Sequence, residues 1–137
     1  MNPIGNVSVN MNQITLCTTD KGIFVDGQMQ LAALKDDVVV GCVDLYNYDP
    51  INLRAEVGIV VAAEHRRQGV GKAILMELEK LCRTTLHLHQ LYCDVAAPNV
   101  ASQRLFEACG YVQCGWFKQW IATRKGFVDT YRFQIIL

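Results

Sequence analysis

Residues 65–81 read HRRQGVGKAILMELEKL, with Arg66, Arg67 and Lys72 set around Gly69 and Gly71 at the start of an apolar helical stripe. Glycines at such a turn let backbone N–H groups converge. A helix N-terminus adds the positive end of its dipole, and the cations supply net charge, so the spacing suits an anion. Two phosphate motifs fail here. A P-loop requires glycine where Arg66 stands and a hydroxyl where Ala73 stands. A dinucleotide fingerprint requires its third glycine where Ile74 stands. What remains is a strand-to-helix turn fitted to hold a pyrophosphate without cleaving it.

The rest of the chain bounds what such a site can serve. Its 137 residues allow one domain, over 1–137, with its own core. Hydrophobic residues make up 51% and 13 basic side chains balance 13 acidic ones, which gives no global pull toward nucleic acid or a membrane surface. The opening MNPIGNVSVNMNQITLC has no cationic start followed by an apolar core, and no apolar run approaches the ~20 residues of a membrane span. The expected address is the cytoplasm. Cys17, Cys42, Cys82, Cys93, Cys109 and Cys114 form no C-x-x-C pair and are expected as reduced, small core residues. His87 and His89 lie close together without cysteines at ligand spacing, so no metal is expected.

Several elements must position the turn. The first ~28 residues carry no clear period. From Met29, MQLAAL and VVVGCVDLYNY flank the polar Lys35-Asp36-Asp37 and read as a strand pair. RAEVGIVVA, Arg54 to Ala62, is a further strand, and its Gly58 predicts a bulge or a close backbone approach. After the turn, Ile74, Leu75, Leu78, Leu81 and Cys82 fall on one helical face. LYCDVAA, Leu91 to Ala97, is a short strand, and Pro98-Asn99 opens a second helix, VASQRLFEAC, that Gly110 stops. GWFKQWIA and FVDTYRFQII, separated by residues 123–126, predict a closing hairpin.

Arg66-x-x-Gly69-x-Gly71 after AEVGIVVA resembles the acetyl-CoA pyrophosphate loop of the GNAT N-acetyltransferase superfamily, Q/R-x-x-G-x-G/A. NVASQRLFEACGY, Asn99 to Tyr111, resembles that superfamily's later helix, N-x-x-[AS]-x-x-L-[YF]-E-x-x-G-[FY]. NLRAEVGIVV and the closing hairpin are similar to the branch holding spermidine and ribosomal-protein N-terminal acetyltransferases. The resemblance runs from Met29 to the end. It implies an α/β (α+β) fold: a mixed, mostly antiparallel sheet with a central splayed parallel strand pair and flanking helices. It also implies acetyl-CoA as cosubstrate and an amine acceptor. Two departures stand out. Residues 1–28 are too few for the strand and helices that usually open such domains, so a curtailed N-terminal lobe is expected. Phe106 occupies the position where many relatives carry a tyrosine thought to protonate the departing thiolate, and phenylalanine has no proton to give.

Carried over by residue, the resemblance assigns the pyrophosphate to Arg66, Arg67, Gln68, Gly69, Val70, Gly71 and Lys72. It places the pantetheine arm against free backbone groups of Ile59, Val60 and Val61, one of which would also polarise the thioester carbonyl. Asn99 would cap its helix and bond the pantetheine amide, Arg104 would reach the phosphates, and Ser102 and Phe106 complete the cofactor set. An amine must lose a proton before it attacks, so a carboxylate near the thioester is expected. Glu56 is the first candidate, through the family's use of a glutamate acting by way of water, with a solvated face as its bland reading. Asp44, an acid in the otherwise apolar CVDLYNYD, is the second, with an edge carboxylate as its bland reading. His87, His89, Trp116, Phe117, Trp120 and Tyr131 are expected mainly to pack, and the long terminal strands suggest a homodimer.

The function these readings favour is direct acetyl transfer from acetyl-CoA to a small amine, a polyamine or a protein N-terminus in a ternary complex. Phe106 and the short N-terminus motivate an alternative, an acyl-CoA-binding module that no longer catalyses. A purely structural protein of this fold is the third reading.

Overall fold

The computed structural model describes residues 13–18 and 24–137. The curtailed N-terminal lobe expected over residues 1–28 lies largely outside those residues. Within them, Thr15–Thr18 forms a short strand, β1, that sequence period did not reveal.

β2 (Met29–Lys35) and β3 (Val38–Asp49) form a hairpin joined by Asp36 and Asp37 at φ 51° and 64°. Two left-handed residues in a two-residue loop match the right-handed twist of the flanking strands. β4 (Arg54–Val61) returns antiparallel to β3. A single 3₁₀ turn (Ala63–His65) and the glycine turn then lead into α1 (Val70–Thr84). β5 (Gln90–Ala96), α2 (Val100–Ala108), β6 (Val112–Thr123) and β7 (Gly126–Ile136) complete the chain. The strand order is β1-β2-β3-β4-β5-β7-β6 in one seven-stranded sheet.

β4 and β5 form the sheet's parallel pair, held only at Arg54↔Gln90, Ala55↔Leu91 and Glu56↔Tyr92. Beyond Glu56 the two strands part. From Val57 to Val61, β4 keeps its antiparallel partner β3 but has no strand on the β5 side. This splay, and no bulge in β4, is what frees backbone groups there. Gly58 stands in regular register with Asp44, which corrects the expectation of a bulge at Gly58. The register shift lies between Tyr46 and Asp49, where Asn47 takes φ 52°, a conformation Asn tolerates better than most residues.

One face of the sheet is covered and the other open. Leu31, Val43, Leu45, Ala55, Leu91 and Phe133 point to the covered face and meet Ile74, Leu75 and Leu78 of α1 in the core. Each large side chain buried in this way stabilises the fold by roughly 1.5–3 kcal/mol. Gly71 and Gly41 allow the close packing of α1. A Cβ on Gly71 would sit 3.2 Å from Leu105 of α2, and one on Gly41 would strike the Val60 carbonyl. The alternate residues of β3, β4, β5 and β7, including Asp44, Tyr46, Glu56, Tyr92, Asp94 and Arg132, share the face on which no described helix packs. No described helix is long and apolar enough to cross a membrane.

Cys82, Cys93 and Cys109 are buried thiols, whereas Cys17 and Cys114 are exposed, which corrects the expectation of core packing for those two. Trp116 and Trp120 are 57% and 64% exposed on the β6 edge, and His87 and His89 are exposed too, so none of these four packs into the core. Tyr131 does pack against it.

Candidate active site

The glycine turn has the local geometry that the sequence predicts. Arg67 and Gly69 both take left-handed backbone, φ 61° and 77°, which turns the chain from the 3₁₀ segment into α1. Gly69 is the N-cap and offers no side chain to the first N–H groups of the helix. Those groups have no intrahelical acceptors and are left to an outside one. Arg66 donates from Nε to the Val61 carbonyl at 3.0 Å, which braces the turn against the end of β4. Gln68 donates to the Glu64 carbonyl at 3.3 Å. Arg67 and Lys72 are exposed, and neither has a carboxylate partner within salt-bridge distance among the described residues. The turn therefore fits a phosphate-bearing group by its own backbone.

The splay between β4 and β5 opens a cleft of about 200 Å³. Ile59, Cys93 and Val95 line it from the strands, and Asn99, Ser102 and Phe106 from α2. Tyr46, Gly58, Asp94 and Ala96 continue the lining on the open face, so the cleft joins the two sides of the sheet. Asn99 Oδ1 accepts the Ser102 N–H at 3.1 Å and caps α2. Phe106, 3% exposed, packs edge-on against Tyr111 at a centroid distance of 5.0 Å. The Tyr111 hydroxyl is buried and has no hydrogen-bond partner among the described residues. Of the residues predicted for the cofactor, Ile59, Asn99, Ser102 and Phe106 meet in this cleft. Val60 turns an exposed side chain to the open face, Val61 leads to the turn, and Arg104 is exposed on α2 away from the lining.

The predicted carboxylates occupy the open face. Asp44 lines a larger groove of about 630 Å³ together with Asp26, Gln28, Gln30 and Tyr46. Glu56, half-buried, accepts from Asn47 Nδ2 at 2.9 Å and interacts with the Tyr46 hydroxyl. It stands opposite Tyr46 across the β3–β4 register and does not line the cleft itself. Burial, and then the charge and hydrogen bonding of Glu56, push the Tyr46 phenol up to about 12. Nearby, Arg132 clamps Asp94 with two bonds of 2.7 and 2.9 Å and lies over the rings of Tyr92 and Phe117.

Tyr46, Asp94 and Arg132 were missed by reading motifs. A signal for Tyr46 does exist in the sequence. In CVDLYNYD, Cys42, Asp44 and Tyr46 fall on one strand face, and the facing β4 segment carries Glu56 and Gly58. Gly58 gives the Tyr46 ring its place, since a Cβ there would come within 3.2 Å of the ring.

The profile of the acetyltransferase (GNAT) family matches residues 12–111. The spermidine N(1)-acetyltransferase of Vibrio cholerae serotype O1 is 29% identical over 98 residues, covering 72% of this chain and 57% of that protein. The chain thus spans little more than half the length of that curated relative. Among solved structures, a point mutant of spermidine N-acetyltransferase SpeG from Vibrio cholerae superposes with TM-score 0.79 at 25% identity, covering 85% of this chain and 70% of the other. A dodecameric form of the same enzyme superposes with TM-score 0.77 at 25% identity, covering 85% and 69%. With a family profile over most of its length and a splayed parallel pair beside a glycine turn, the chain belongs to the GNAT acetyltransferase family.

Proposed function

We propose that the chain is an acetyl-CoA-dependent N-acetyltransferase acting on a primary amine by direct attack within a ternary complex. The observation that carries this reading is the cleft between β4 and β5, which runs from the α2 side, near the glycine turn, to a carboxylate-bearing open face. Residues 66–72 hold the pyrophosphate with backbone N–H groups, Arg67 and Lys72. Ile59 and Val61 supply β5-facing backbone groups to the pantetheine arm, whereas the Val60 backbone faces Cys42 of β3, and Asn99 and Ser102 border the arm from α2. The cosubstrate supplies an activated acetyl group as a thioester. Glu56, held by Asn47, takes the proton of the attacking amine by way of water on the open face.

A cationic acceptor fits the groove better than a neutral one, because Asp26 and Asp44 line it and Glu56 stands beside it. This favours a small amine or polyamine, as the names of the relatives suggest, over a bulky protein N-terminus. Self-association and a cytoplasmic address belong to the same proposal; the exposed β6 edge with Trp116 and Trp120 supports a homodimer.

One observation favours a second reading. Phe106 fills the cleft wall with a side chain that cannot donate, as an acyl-CoA-binding module without turnover would tolerate. A screen of acetyl-CoA against spermidine, amino acids and short peptides, read by mass spectrometry, separates the two. Acetylated product that vanishes in Glu56→Gln supports the enzyme; acetyl-CoA binding with no product on any amine supports the module.

A further inference from the structure

Acetyl transfer to an amine leaves two proton problems. The amine must shed one proton, and the departing thiolate must gain one. Glu56 addresses the first, and Phe106 leaves the second open. Four side chains of the cleft lining carry a proton on a heteroatom, and the Asn99 amide and Ser102 hydroxyl are far weaker acids than a phenol or a thiol, which leaves Tyr46 and the buried Cys93 thiol to meet a sulfur there. Tyr111 is excluded because it does not line the cleft and its hydroxyl is buried. Cys93 has no hydrogen-bonded carboxylate among the described residues to restore a proton it gives away. Tyr46 has one in Glu56. Tyr46 also forms the wall shared by the cleft and the larger groove, so its phenol stands between the thioester side and the acceptor side.

We propose that Tyr46 protonates the departing thiolate and is reprotonated by Glu56, a relay from the β3–β4 register that does the work Phe106 cannot. The inference rests on the acetyltransferase reading above. The balance is closed without a further reactant. An acceptor that arrives as an ammonium first releases one proton to solvent; then the N–C bond forms and the C–S bond breaks, the remaining displaced amine proton passes through water to Glu56, the Glu56 proton to the Tyr46 oxygen, and the Tyr46 proton to sulfur. The products are an amide and a thiol, and both side chains end as they began.

The electrostatics run in the required order. The phenol is held weakly acidic first by burial and then by the Glu56 charge and hydrogen bond. Once Glu56 carries the amine proton, both of its effects disappear, so Tyr46 becomes a better donor after the base has acted. Asn47, in its left-handed bulge, fixes Glu56 from the other side at 2.9 Å. Gly58 keeps the ring's place open, since a Cβ there would meet the ring edge at 3.2 Å and press it aside.

The test uses the whole chain with acetyl-CoA, against spermidine and against a short peptide with a free N-terminus. Tyr46→Phe is expected to lower kcat by roughly 10²-fold, within the range of general acid catalysis, with acetyl-CoA affinity unchanged. Adding Phe106→Tyr to that variant is expected to restore much of the loss. A kcat for Tyr46→Phe within about threefold of the parent, well below such an effect, would overturn the relay and leave the enzyme reading intact. A parent that turns over neither amine overturns the enzyme reading and the relay with it. Ultraviolet titration of tyrosinate judges the pairing independently of turnover. The step lost in Tyr46→Phe should lie above the ordinary phenol range in the parent and move down in Glu56→Gln. An unmoved step would remove Glu56 as the source of the proton.

Discussion

The glycine turn and the open face around Tyr46 are built by opposite means. Residues 66–72 are contiguous, and their geometry follows from two left-handed residues and the start of one helix. The open face draws Asp44 and Tyr46 from β3, Glu56 and Gly58 from β4, Asp94 from β5 and Arg132 from β7. The first site depends on local backbone, whereas the second depends on register across strands far apart in the chain, from Asp44 to Arg132, and a one-residue slip would turn its side chains to the wrong face. Local perturbations should therefore damage the two sites separately, one through cosubstrate affinity and the other through turnover.

The largest expected effect is on turnover. Glu56→Gln keeps the size of the side chain and removes its basicity, and kcat should fall by roughly 10²–10³-fold, in the range of general base catalysis, while acetyl-CoA affinity holds. A fall in affinity instead would place Glu56 on the cosubstrate side and break the comparison. On the turn side, Gly71→Leu forces a side chain against Leu105, whose nearest carbon is 3.2 Å from a Cβ there, and against Val61. Overpacking of this kind costs about 1–3 kcal/mol, to be read as a lowered midpoint in urea, together with weaker acetyl-CoA binding as α1 and α2 move apart. Asn99→Ala removes the cap on α2 and should cost about 0.5–2 kcal/mol in the same assay.

The most general effect is alkaline. Burial pushes the thiols of Cys82 and Cys93 up to about 12 and that of Cys109 up to about 11, against an ordinary value of 9.0. Above pH 9 the unfolded chain loses these protons while the folded chain keeps them, so the unfolded state binds fewer protons and stability falls as pH rises. Thermal melts between pH 8 and pH 12, in reductant, should show midpoints that hold at first and then decline progressively above about pH 9. A Cys82→Ala/Cys93→Ala variant should show a shallower decline than the parent.

How much of this was legible follows the same division. The turn could be read because glycine and cation spacing act within one short segment, and α2 because Asn99 and Gly110 bracket it as cap and stop. The splayed parallel pair could be placed, but Gly58 reads as a bulge or a close backbone approach when it stands in regular register and the splay begins where β5 leaves β4 after Glu56. A strand's end of pairing is set by its neighbours, which one-dimensional period does not record. Tyr46 went unread for the same reason, since its meaning depends on Glu56 and Gly58 across the register. Trp116 and Trp120 read as packing residues and lie exposed, because aromatic residues in a strand pattern do not say whether the strand is an edge.

The account stands on acetyl-CoA lying at the glycine turn, and isothermal calorimetry tests that most directly. The parent should bind acetyl-CoA saturably, with affinity lost in Gly69→Arg, which puts a side chain on a left-handed N-cap, and strongly reduced in Arg67→Glu, which reverses a charge beside it. Saturable binding left unchanged by both substitutions, or no binding by the parent, would contradict the account.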